Sequence, residues 1–106
     1  MLDLKKIVGF EWDKGNIEKS HKKHGVLPNE AEELFLDKDI LILEDAEHSK
    51  QEKRFEAVGK VIEGRILFLA FTIRRDKIRI ISARAANQKE RRKYEEYIFL
   101  CIFYSI

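Results

Sequence analysis

The chain has 106 residues, 44% of them hydrophobic and 38% charged, with a net charge of +2. That length suits one domain over 1–106, and the apolar share is too high for wholesale disorder. One cysteine, Cys101, excludes an intrachain disulfide framework and a four-cysteine zinc site. Met1 to Lys6 is too short and mixed for a secretory leader, and no apolar run reaches the roughly 20 residues that span a bilayer, so a cytoplasmic protein is expected.

In chain order, Val8 to Trp12 alternates partly and predicts a short first strand. Asp13 is a candidate helix N-cap, and Lys14 to His24 tolerates a helix that Gly25 would close. Pro28 suits the first turn of a second helix, with Ala31, Leu34 and Phe35 along one side. Ile40 to Leu43 is apolar throughout and predicts a strand covered on both faces. Arg54 to Ile62 alternates, with Phe55, Ala57, Gly59 and Val61 on one face and Arg54, Glu56 and Lys60 on the other. Glu63-Gly64 and Arg75-Asp76 predict tight turns on either side of a nearly all-apolar strand, Arg65 to Ile73. Lys77 to Ala85 follows as a strand. Asn87 and Glu90 have capping-box spacing at the head of a basic helix running to about Tyr97. Hairpins with short turns favour an antiparallel sheet of four to five strands with helices packed on it, an α+β fold. Residues 97–106 carry no charge and have the composition of an aggregation-prone strand; they either dock on the sheet, fill a dimer contact, or add nothing.

The small net charge conceals a polarity. Val26 to Glu47 holds eight acids and one base, for −7, whereas Arg65 to Lys93 holds ten bases and two acids, for +8. Seven of those ten bases are arginines, whose planar guanidinium suits bidentate phosphate contacts. Such asymmetry fits either a polyanion-binding surface or a solvated basic face.

Several blocks occur together in order: Phe10-Glu11-Trp12-Asp13, Lys23-His24-Gly25-Val26, Glu30-Ala31 with Leu34-Phe35, Glu44-Asp45 with His48-Ser49, Arg54-Phe55 with Gly59, Arg79-Ile80-Ile81-Ser82-Ala83-Arg84, and Glu90-Arg91-Arg92 with Tyr94-Glu95. Over about residues 10–96 the chain resembles the BrnT family of bacterial toxins. The resemblance implies a compact fold like that of the RelE ribonucleases and the toxin half of a type II toxin–antitoxin pair. It implies cleavage of mRNA with loss of translation, and an antitoxin partner of ribbon-helix-helix type through which alone DNA would be contacted. A homodimer or a toxin–antitoxin heterotetramer is compatible with it. The uncharged tail departs from the family pattern.

Cutting RNA without a metal requires a base for the 2′-hydroxyl proton, an acid for the departing 5′-oxygen, and cations for charge developing on the phosphoryl group. The candidate catalytic residues are Arg79, Arg84, Arg91, Tyr94 and His24, with Arg54, Lys23, Arg74, Lys77 and Arg92 as RNA-binding cations. Ideal strand alternation puts Arg79 and Arg84 on opposite faces. Tyr94 is either a proton donor or base-stacking ring, or a core aromatic. His24 either moves a proton or meets the dipole at its helix terminus. His48 is a turn residue or a second acid/base candidate, and Trp12 a core residue or a stacking platform. No Gly-rich phosphate loop or nucleophile elbow is present, which disfavours an enzyme of small acidic substrates. His21, His24 and His48 lack supporting cysteine or tight carboxylate spacing, so no metal and no cofactor is expected. The rival to a nuclease is a non-catalytic module that binds an antitoxin or nucleic acid through the basic half.

Overall fold

The alternation of Arg54 to Lys60 and the apolar run after it put two long strands at the centre of a five-stranded sheet. The computed structural model describes residues 6–12 and 14–104, and the expected Asp13 cap lies outside them. Strand β1 (Gly9–Trp12) leads to helices α1 (Lys14–His24) and α2 (Pro28–Glu33), then a 3₁₀ turn, Leu34–Leu36. After β2 (Leu41–Glu44) comes a second 3₁₀ turn, Ala46–His48, followed by β3 (Arg54–Lys60), β4 (Ile66–Arg74), β5 (Lys77–Ala85) and α3 (Gln88–Tyr104). The strand order is β1-β5-β4-β3-β2, with β1 parallel to β5 and every other pair antiparallel. The sheet is therefore mixed.

Local chemistry sets the element ends. Gly25 takes a φ of +66°, and its N–H donates to the His21 carbonyl at 2.9 Å, closing α1. Asn87 Oδ1 accepts the Glu90 amide at 2.8 Å while Glu90 Oε1 accepts the Asn87 amide at 2.9 Å, the reciprocal cap expected from the spacing. Among the described residues β2 is an edge strand, and it is not covered on both faces, since Leu43, beside Glu56, is exposed.

The main core lies on one face, where Ala57, Leu67, Leu69, Phe71, Ile78, Ile80 and Ala83 meet Val26, Ala31 and Leu34. Phe35 packs edge-on against Phe71, with centroids 5.2 Å apart. The second face holds a smaller cluster: α3 sets Tyr94 and Ile98 over Leu41, Val58, Ile66 and Phe68. The apolar tail is not a strand but the continuation of α3 to Tyr104, and Phe99, Ile102, Phe103 and Tyr104 project from it exposed. Ser105 and Ile106 lie outside the described residues. Among those described, no helix is long and apolar enough to cross a membrane.

Candidate functional site

Because α3 covers only the Val58–Phe68 end of the second face, the other end is open. There the ladder aligns Glu11 of β1, Arg79 of β5, Thr72 of β4 and Arg54 of β3 in one row. Residues paired across a ladder share a face, so the two arginines flank Thr72 from either side. They stand two strands apart, roughly 10 Å between backbones, a gap that one phosphodiester can bridge from both sides.

A β-bulge changes the predicted faces of β5. Ala70 pairs with Ser82 whereas Phe71 pairs with Ile80, leaving Ile81 without a partner in the ladder. Alternation is reset there, and Arg79 and Arg84 emerge on the same face instead of opposite ones. Arg84 pairs with Phe68, four β4 residues from Thr72, or roughly 13 Å along the strand.

The segment joining β2 to β3 builds a wall beside the arginine row. Asp45 Oδ1 accepts the His48 amide at 3.3 Å, and Oδ2 lies 2.8 Å from His48 Nδ1. Ser49 Oγ donates to the Asp45 carbonyl and accepts the Arg54 amide at 3.0 Å, while the Asp45 amide donates to the Arg54 carbonyl at 2.8 Å. Thr72 Oγ1 donates to the Lys53 carbonyl at 2.7 Å, fixing the segment's far end to β4. Partial burial pushes the Asp45 carboxyl up, but the two His48 hydrogen bonds and the Arg54 charge outweigh it, and the group stays below its ordinary range.

Between this wall and the sheet is an open hollow of about 610 Å³ lined by His48, Lys50, Glu52, Arg54, Thr72 and Ile81, among others. Arg54 Nε is shut off from solvent and has no hydrogen-bond acceptor. An N–H buried without an acceptor costs about 1–3 kcal/mol. An adjoining hollow of about 500 Å³ is lined by Glu11, Arg74, Lys77 and Arg79. Arg74 Nε donates to Glu52 Oε2 at 2.9 Å, and Lys77 Nζ lies 3.8 Å from Glu11. The Arg74 hydrogen bond holds the Glu52 carboxyl below its ordinary range.

The remaining candidates lie elsewhere. Arg84 makes a two-pronged pair with Glu90, at 2.8 and 2.9 Å, and stacks over the Phe68 ring at 4.2 Å. Tyr94 is 2% exposed and its hydroxyl donates to Asp37, so of the two readings open for it the geometry matches core packing. Arg91 and Arg92 are exposed on α3, and Arg92 lines a shallow depression with Glu95, Glu96, Phe99 and Leu100. Lys23 and His24 end α1, beside Gly25, whose carbonyl accepts from Arg65 at 3.4 Å just before β4 begins. Thr72 is seven residues beyond Arg65, roughly 23 Å along an extended chain, so this terminus belongs to the opposite end of the sheet from the arginine row.

The sequence alone puts Arg54, Arg74, Lys77 and Arg79 among the candidates and offers His48 as a turn residue or second acid/base group, but it brings in neither Thr72 nor Glu52 and does not pair Asp45 with His48. Thr72 was visible as the one hydroxyl inside the apolar run that becomes β4. The Asp45–His48 spacing was visible too, but only the fold turns it against Arg54. Among the described residues, no three His, Cys, Asp or Glu side chains gather closely enough to hold a metal ion.

A family model described as the ribonuclease toxin BrnT of type II toxin–antitoxin systems matches residues 12–90. The fold is similar to the 1.1 Å crystal structure of the Brucella abortus ribonuclease toxin BrnT. The TM-score is 0.58 at 20% identity, over 76% of this chain and 99% of that one. No curated protein sequence matches.

Proposed function

This chain belongs to the BrnT family of ribonuclease toxins of type II toxin–antitoxin systems, and from that membership we propose that it is itself an endoribonuclease that cleaves mRNA without a metal and so stops translation. The observation that carries the reading is the row of Arg54, Thr72 and Arg79 on the uncovered half-face, beside the hollow that Arg54 and Thr72 line. Arg54 and Arg79 grip the scissile phosphate and neutralise charge developing on its oxygens. Arg74 and Lys77, already balanced by Glu52 and Glu11, guide the strand along the neighbouring hollow. Cleavage proceeds by attack of the 2′-hydroxyl on phosphorus: the O2′–P bond forms, the P–O5′ bond breaks, and the products are a 2′,3′-cyclic phosphate and a 5′-hydroxyl end. Arg84 and Tyr94 act at a distance from this centre, by holding α3 on the sheet.

In this reading the partner is an antitoxin of ribbon-helix-helix type in the same cytoplasm, contacting the toxin through acidic side chains that meet the basic half. Affinity then falls with added salt, because exposed opposing charges are screened over about 8–10 Å. Incubating the purified chain with mRNA in EDTA and mapping the ends tests the enzymatic reading. Fragments ending in cyclic phosphate are expected. Retarded migration with intact RNA would instead identify a non-catalytic binder.

A further inference from the structure

We propose that His48, oriented by Asp45, is the general base of the site, taking the 2′-hydroxyl proton of RNA bound in the Arg54 hollow. This rests on the nuclease reading above and assigns the proton carrier that the arginines cannot provide, since a guanidinium stays protonated at all working pH values.

An ionised carboxylate only accepts hydrogen bonds, so the 2.8 Å contact between Asp45 Oδ2 and His48 Nδ1 requires the proton on Nδ1. The neutral ring then has its lone pair on Nε2, the nitrogen Asp45 does not occupy. His48 lines the hollow with Arg54 and Thr72, and its side chain is 56% exposed, whereas that of Asp45 is 11% exposed. A sheltered carboxylate behind an accessible imidazole fixes tautomer and ring direction, the arrangement general base chemistry needs. The pair is also rigidly placed. Asp45 caps the 3₁₀ turn through the His48 amide, and Ser49 and the Arg54 backbone tie both ends of the segment to β3. A turn residue needs only the amide contact; the ring contact is a second, separate use of the same carboxylate.

The step balances without a co-reactant other than water. The 2′-hydroxyl proton passes to Nε2 as the O2′–P bond forms. Asp45 stabilises the resulting imidazolium, the leaving 5′-oxygen takes a proton from solvent, and His48 later returns its own. The charged groups around His48 are Asp45, Glu47, Lys50 and Glu52 from its own segment and Arg54 from β3, with Arg79 beside Glu52.

The test compares single-turnover RNA cleavage and RNA affinity across pH 5–9 for the wild type, His48→Ala, His48→Asn and Asp45→Asn. Asn at 48 keeps a donor near the Nδ1 position for Asp45 while removing the base, so it separates loss of chemistry from loss of the turn. Both His48 variants are expected to lose about 10²–10⁴-fold in cleavage rate with affinity retained, and added imidazole to restore part of the rate to His48→Ala. Asp45→Asn, a change at a positioning residue, is expected to lose less and to shift the acidic limb of the pH profile. Wild-type cleavage rates in His48→Asn would overturn the assignment and leave the nuclease reading intact. A wild type that binds RNA without cutting it at any pH would overturn both.

Discussion

The Tyr94 hydroxyl donates to Oδ2 of Asp37, 57 positions earlier in the chain, and the same oxygen accepts the Lys60 amide at 2.8 Å. One carboxylate thus joins α3, the end of β3 and the turn after α2. Burial, and then the Asp37 hydrogen bond, raise the Tyr94 pKa far above the ordinary phenol range. A hydrogen bond to a charged acceptor contributes about 1.5–3 kcal/mol, so Tyr94→Phe should lower unfolding stability by that order in urea titrations at pH 7. The pH sign follows from linkage. The folded phenol holds its proton where the unfolded one has begun to lose it near pH 10, so stability is present below that value and falls as pH rises above it. Tyr94→Phe should flatten this alkaline decline, while RNA cleavage per folded molecule stays within about threefold of wild type. A hundredfold loss at unchanged fold would return Tyr94 to the chemistry.

Gly59 is the close-approach point beneath that junction. A Cβ there would lie 3.0 Å from Leu34 Cγ and 3.3 Å from Asp37 Oδ2, both on the turn that β3 packs against. Neither neighbour has room to retreat: Leu34 is fully buried, and Asp37 is held by Tyr94 and Lys60. Gly59→Ala should therefore destabilise by about 1–3 kcal/mol, and thermal melts of Gly59→Ala, Tyr94→Phe and the double variant should show effects that do not add.

The elements were legible in the sequence because each carried a local signal: Pro28 and Gly25 at helix ends, the Asn87–Glu90 cap, and period-two alternation in Arg54 to Lys60. The α+β order followed from them. Two things were not local. The parallel pairing of β1 with β5 depends on contacts almost seventy residues apart, which no window of sequence displays. The bulge at Ile81 leaves no mark in Arg79-Ile80-Ile81-Ser82-Ala83-Arg84, yet it decides which arginines share a face. Charge polarity pointed to the basic half, and within it only register separated Arg79, beside the hollow, from Arg65 at the far end of β4. The helical continuation past Tyr97 was obscured because aromatic and β-branched residues fit a strand equally well by composition.

Glu90 serves two structures at once: it caps α3 through the Asn87 amide and pairs with Arg84 through both oxygens. Burial pushes its carboxyl up, but the Arg84 and Asn87 hydrogen bonds overcome this and hold it below its ordinary value of 4.5. A depressed folded pKa contributes stability above the unfolded value and loses it as pH falls through the folded one. The melting temperature of the wild type should thus decline below about pH 4.5, with Glu90→Gln declining less steeply there. At pH 7 Glu90→Gln should cost about 1–2 kcal/mol, since the amide keeps one acceptor but loses the charge-assisted fork.

Arg54 and Arg79 should each matter to rate more than to folding. Removing one preorganised donor from a site of developing charge costs about 10²–10³ in rate. Arg54→Ala and Arg79→Ala are each expected to fall in that range in single-turnover cleavage and to relieve growth arrest on expression. Arg79→Lys should recover part of the rate, because an ammonium keeps the charge but not the planar fork. Arg65→Ala, at the Gly25 end of the sheet, should cleave as the wild type does. Equal losses at Arg65 and Arg79 would mean that RNA runs along the whole length of β4 and not across its open end.

Salt dependence separates how many of these cations meet phosphate. Single-stranded RNA releases counterions with a slope of about −0.7 in log K against log salt per phosphate neutralised. Arg54 and Arg79 alone would give about −1.4, and full engagement of Arg74 and Lys77 as well would give about −2.8. Arg74 is already paired with Glu52 and Lys77 with Glu11, so each contributes less than a full contact unless RNA breaks its pair. Filter-binding titrations from 50 to 300 mM salt should accordingly give an intermediate slope for the wild type. Glu52→Gln frees Arg74 from its counter-charge and should steepen the slope while tightening binding at low salt. Arg79→Ala should make it shallower, by at most about 0.7. If Glu52→Gln leaves both slope and affinity unchanged, the RNA path does not cross Arg74, and the interface is confined to the hollow between His48 and Thr72.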